Sequence, residues 1–218
     1  YSFSVANWHE TVHRTAFKTR WINEIFYHIS SFMCDFEGYR WRWSHTFHHT
    51  YTLQTDGDYD HEIQVSRPTE LLAFFLNYIP FSDLLYPHKL IKFEVLKHAL
   101  GYLTPVVNIS APKDQKKKII WNSRVYVFIW LSVIAYSFYI ESILPILYII
   151  LPTYYGKPIW FAVNVTQHLA AAVNTKDHRL STYSIKLNPV LSFLYWKMEY
   201  HLTHHMFPTV PSYNLDKL

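Results

Sequence analysis

Two histidine triplets with the same spacing stand near opposite ends of the sequence. Residues 45–49 read HTFHH, giving His45, His48 and His49, and residues 201–205 read HLTHH, giving His201, His204 and His205. A looser pair, His9 and His13, occurs in HETVH, and NVTQH places Asn164 one turn ahead of His168. On a helix, positions i, i+3 and i+4 share a face, so each triplet presents its rings as one patch. Imidazole ligates iron, copper, nickel and zinc through either ring nitrogen. With 14 histidines in 218 residues, one HxxHH triplet is expected by chance only about 0.06 times in this length. Two copies are therefore a signal. Nine rings are too many for one first-row ion, which takes roughly four to six ligands, and enough for two.

Competing readings explain less. HETVH satisfies HExxH, with Glu10 where a zinc protease places its base. That function leaves the other clustered histidines idle. A non-catalytic membrane metal-binding or transport protein calls for polar groups inside the apolar runs, and 125–140 offers only serines and tyrosines. His28, His61, His88, His98 and His178 lack partners at ligand spacing and read as surface or hydrogen-bonding residues. Cys34 is the sole cysteine. It excludes a disulfide framework and a cysteine-based zinc site, and reads as a small buried hydrophobe. The net charge of +4 is modest, and no nucleic-acid-binding module accompanies it.

The elements that carry these groups read as all-α. Residues 4–33 and 39–52 have helical spacing, and a polar turn follows at Asp56-Gly57. Residues 69–87 are apolar but contain Glu70, Pro80 and Asp83, which suits an interfacial or re-entrant helix or an ordinary buried one. Residues 125–140 carry no charge, and after Glu141 the stretch 142–156 is again uncharged. Neither run shows the polar stripe of a soluble bundle helix. With Arg124 and Lys157 reaching the headgroups, 119–163 is expected to form a transmembrane hairpin that turns at Glu141 and Ser142. Two crossings return the chain to its starting side. The cluster KDQKKK at 113–118 marks that side as cytoplasmic. A helical cap on that side then holds every histidine cluster, in one domain covering 1–218.

The order HxxxH, HxxHH, apolar hairpin, HxxHH resembles the membrane fatty acid desaturases and their hydroxylase relatives. The resemblance extends to NVTQH, to DHRLSTYS at 177–184, to YWKMEYHLTHHMFPTVPSYNL at 195–215 and to DYDHEI at 58–63. It implies two non-haem irons held by His9, His13, His45, His48, His49, His168, His201, His204 and His205. Asn164 would bind one of them through water. It implies an O2-dependent oxidoreductase that desaturates a fatty acyl chain on a lipid, CoA or carrier protein. Hydroxylation of an alkyl or sphingoid chain is the alternative outcome of the same chemistry. It also implies a separate electron donor of ferredoxin or cytochrome b5 type, since this chain has no haem or iron–sulfur motif, and a further transmembrane hairpin ahead of Tyr1. Glu10, Asp60, Asp177 and Glu199 lie beside the histidine motifs and are expected to orient imidazoles. Trp8, Trp41, Trp43 and Trp196 are expected to line an acyl tunnel or to anchor at the membrane interface.

Overall fold

The computed structural model describes residues 1–56, 79 and 91–218, which form helices and connecting turns with no strand among them. Asp60, His61, His88 and the apolar stretch 69–87 lie outside the described residues or nearly so. Three helices open the chain: α1 (Ser4–Val12), α2 (Arg20–Met33) and α3 (Gly38–Thr50). Helix α1 is buried on nearly every side, as a helix enclosed by others must be, and it packs against α2. Its Val5, Ala6, Trp8 and Val12 share a core with Tyr27, Phe36, Trp41, Tyr195 and Met198. That core brings the two ends of the chain together.

Helix α3 carries the first HxxHH triplet and is held at its start by Glu37. The Glu37 carboxylate accepts hydrogen bonds from the backbone N–H groups of Tyr39 (3.2 Å) and Arg40 (2.7 Å), the capping role of a residue just before a helix. It also accepts from the amide of Asn122. Gly38 follows because a Cβ there would lie 2.9 Å from His28 Nδ1. Burial pushes the Glu37 carboxyl up to about 7, against the hydrogen bonds from Arg40, Asn122 and Tyr39. Glu37→Ala is expected to cost about 2 kcal/mol, since it removes the cap and strands the Asn122 amide. Denaturant unfolding of the purified protein measures it.

Beyond the region not described, α4 (Ile91–Ala99) and α5 (Pro105–Ser110) pack against α6 (Lys116–Tyr139) and α3 respectively. Arg40 of α3 reaches Glu94 of α4 at 3.1 Å and stacks 4.0 Å over Trp41. Helix α6 is the one stretch among the described residues long and apolar enough to cross a membrane, counted over Lys113–Tyr139. Phe128, Leu131, Phe138 and Tyr139 stand exposed along it. That is the reverse of what a soluble core helix does with such residues.

The return limb differs from a second continuous helix. The chain turns over at Ile140–Ser142, with Glu141 at φ 50. It then runs back as a π-helical turn (Ile146–Ile150), α7 (Pro152–Tyr155) and α8 (Lys157–Asn164). A proline stands at the start of each segment: Pro145, Pro152 and Pro158. A proline has no N–H to donate and fits only the first turn of a helix, so each one restarts the helix. Where a two-crossing hairpin is expected over 119–163, the described residues thus form one long helix and a segmented limb, and only the first is long and apolar enough to cross a membrane. After it come α9 (His178–Ser181), α10 (Pro189–Leu194) and α11 (His201–Met206), which carries the second triplet.

Candidate metal centre

The nine histidines singled out by spacing lie in two adjoining groups. His9, His13, His45, His49 and His204 form one, and His48, His168, His201 and His205 the other. Within each group one nitrogen per ring lies within 4.8 Å of all the others. The partition cuts across the motifs. In each triplet the i and i+4 rings serve one group and the i+3 ring serves the other. So α3 gives His45 and His49 to group one and His48 to group two. Helix α11 gives His201 and His205 to group two and His204 to group one. The groups share a wall, where His49 stacks on His205 with ring centroids 4.4 Å apart.

The nitrogens point inward. The Nε2 atoms of His13 and His45 are 3.0 Å apart, those of His45 and His49 3.1 Å, and those of His49 and His204 3.2 Å. In group two, Nε2 of His201 stands 3.0 Å from that of His168 and 3.2 Å from that of His205. Rings bound at about 2.1 Å to one ion, at right angles to each other, bring their nitrogens to roughly 3.0 Å. Both ring nitrogens of His9 are buried without a hydrogen-bond partner, although its ring lies 4.5 Å from those of His45 and His204. A cation at the common centre would satisfy this crowd of lone pairs, so the residues fit a metal in each group.

The electrostatics agree. Burial lowers the His13 imidazole to about 3, and His48 adds to the effect. Burial, and then neighbouring imidazoles, hold His9, His45, His49, His201, His204 and His205 well below the ordinary histidine value. The rings are therefore neutral, which is the form that binds metal.

Orientation of the rings falls to groups that the spacing does not reveal. Nδ1 of His168 lies 2.9 Å from the Ser181 carbonyl, so it donates there and leaves Nε2 bare. Nδ1 of His205 lies 3.3 Å from Thr52 Oγ1, whose proton goes to the His48 carbonyl at 2.6 Å. Thr52 thus accepts from His205 while tying it to the other triplet. Thr52→Val is expected to weaken metal binding about 10–100-fold, as loss of an outer-sphere partner does. Competition with a chelator measures it.

The described acids do not take this role. Glu10 Oε1 accepts from the Ser212 N–H at 3.1 Å and fastens the C-terminal segment to α1. Glu199 accepts from the Ser192 hydroxyl. Asp177 caps α9 and pairs with Arg179. Asn164 is half-buried at the end of α8. The helix gives way to a 3-10 turn at Val165–Gln167, so Asn164 and His168 do not share the single α-helical face expected of them. Gln167, in that turn, pins the loop to the third motif by donating to the Met198 carbonyl at 2.6 Å.

Of the four tryptophans, Trp8 packs edge-on against His45 at 5.1 Å and, with Trp41, forms an aromatic wall behind group one. Trp43 packs with Val107 and Ile119, and Trp196 lies by Phe17. None of the four is exposed. His98 is fully buried beside Thr104 and Glu94, and His28 lies beside Tyr27 and Tyr39. His178 is the exception among the described histidines set aside: its ring comes 5.3 Å from that of His205.

Fold and site define a helical protein with two abutting, all-imidazole metal-binding groups. The chain belongs to the fatty acid desaturase family, whose profile matches residues 2–218. No curated protein and no solved structure matches it. The family and the paired groups fit a di-iron oxidase, and make the chain a metal-binding oxidoreductase with fatty acyl substrates.

Proposed function

We propose that this chain desaturates a fatty acyl chain with O2 at two irons, one held by His9, His13, His45, His49 and His204, the other by His48, His168, His201 and His205. Nine imidazoles converging as five and four, seven of them buried, support this reading above any other observation. Two irons so held supply activation of O2, with enough oxidising power to remove hydrogen from an unactivated methylene. The chain's own residues keep that chemistry contained. Trp8, Trp41 and Phe36 exclude water behind group one. The Ser181 carbonyl and Thr52 hold ring protons away from the metal side. Asn164 would reach one iron through water. Electrons come from a separate ferredoxin or cytochrome b5, and α6 with the limb after it sits in the membrane, the imidazoles on its cytoplasmic side.

The reading favours desaturation because the third motif and its flanks resemble acyl desaturases. Product analysis after turnover with O2, reductant and an acyl substrate tests it. An alkene lighter by two hydrogens supports desaturation, an alcohol heavier by one oxygen makes the chain a hydroxylase, and neither product overturns both.

A further inference from the structure

Group two is closed in a way that group one is not. His13 and His49 of group one are half-buried, whereas His48, His168, His201 and His205 are all buried. A metal site needs an entry path as well as ligands. One opening lies against group two. A pocket of about 600 Å³, lined by Lys176, Asp177, His178, Arg179, Met206 and Phe207, stands where α9 packs on α11.

His178 lies between this pocket and the metal-binding rings. It is half-buried, and its ring comes 5.3 Å from that of His205. Yet it is not one of the four rings that converge in group two. Its Nδ1 is buried with no hydrogen-bond partner, and a buried polar atom left in that state calls for an explanation. A metal ion in transit supplies one, since either imidazole nitrogen can ligate.

We propose that Asp177 and His178 form the entry station through which a divalent metal ion reaches group two. The proposal rests on the reading of the nine imidazoles as two metal sites. Asp177 is paired with Arg179 at 2.7 Å, and Arg179 is exposed. Such a surface pair contributes little, so the carboxylate can exchange its guanidinium partner for a divalent cation. A carboxylate oxygen and an imidazole nitrogen together suit a ferrous ion as it sheds water. His178 then hands the ion to His205, the adjacent ring. Lys176 is exposed on the pocket rim, and its positive charge opposes the approach of a cation, so the rate of entry depends on the charge at that position.

The test follows uptake of ferrous ion by the metal-free full chain without oxygen. Samples are stripped of unbound metal by gel filtration at successive times and analysed for iron. Wild type is expected to take up about two ions per chain. His178→Leu keeps the bulk of the ring but offers no donor. It is expected to slow uptake of one ion several-fold while leaving the rate for the other ion and the final iron content unchanged. Lys176→Glu is expected to speed the phase that His178→Leu slows, an effect that a merely structural role of His178 does not produce. Unchanged rates in His178→Leu overturn the proposal and assign entry to the wall shared by His49 and His205. A final content lower by one ion in that variant also overturns it, because His178 is then a permanent ligand. If His178→Leu does not fold, an unchanged rate in Lys176→Glu overturns it instead. Uptake of fewer than two ions by wild type at saturating iron is the separate failure: it overturns the paired-metal reading itself, and this proposal with it.

Discussion

His204→Ala is expected to reduce bound metal from about two ions per chain to about one and to end turnover. His204 belongs to group one although it stands in the triplet that mostly serves group two. Its Nε2 lies 3.2 Å from that of His49, and its ring 4.5 Å from that of His9. The side chain is fully buried, so alanine leaves a gap among imidazoles that cannot reach one another's positions. Group two keeps all four of its rings, which is why one ion is retained. O2 activation by a pair of irons needs both, so activity falls to background even with half the metal present. His205→Ala is expected to give the converse pattern, with group two emptied and group one retained. Elemental analysis together with an assay of the same sample checks both. Equal loss of metal from both sites in each variant, or turnover that survives, counts against the partition.

Acidification is expected to destabilise the metal-free protein, starting below the ordinary histidine value. The folded-state values are lowered, so between about 3 and 6.5 the unfolded chain binds a proton at the His13 position while the folded chain does not. Stability rises with pH wherever the unfolded state holds more protons. It therefore falls as pH drops through 6.5 and continues to fall toward 3. His9, His45, His49, His201, His204 and His205 share the sign, because burial disfavours their charged forms. Metal loading opposes the loss, since an ion competes with protons for the same lone pairs. Thermal unfolding at stepped pH, with and without metal, is expected to show a steep decline without metal and a midpoint shifted to lower pH with it.

The rings themselves were legible in the sequence, because i, i+3, i+4 spacing is a local property of a helix. Their partition was not. Whether His48 faces the same centre as His45 depends on how α3 and α11 approach each other, which no local pattern encodes. The outer-sphere partners were hidden for a related reason. The Ser181 carbonyl is backbone, and Thr52 is one threonine among several. Of the acids that drew notice by adjacency, the described ones, Glu10, Glu199 and Asp177, instead bind backbone, serine or arginine. For the fold, the charge-free run of α6 announced a long helix, and the prolines at 145, 152 and 158 stood in plain view where the return limb breaks. The helical spacing of 4–33 was visible, but only tertiary packing shows that Trp21, Ile25 and Ile29 of α2 face away from the core.

The way each triplet divides between the two centres bears on biosynthesis. As the chain leaves the ribosome, residues 9 to 49 can already offer four of the first group's five rings, but only His48 of the second. Two complete metal-binding groups cannot exist until residues 201–205 have emerged and docked. A half-made or prematurely terminated polypeptide thus offers rings enough for a solitary ion only.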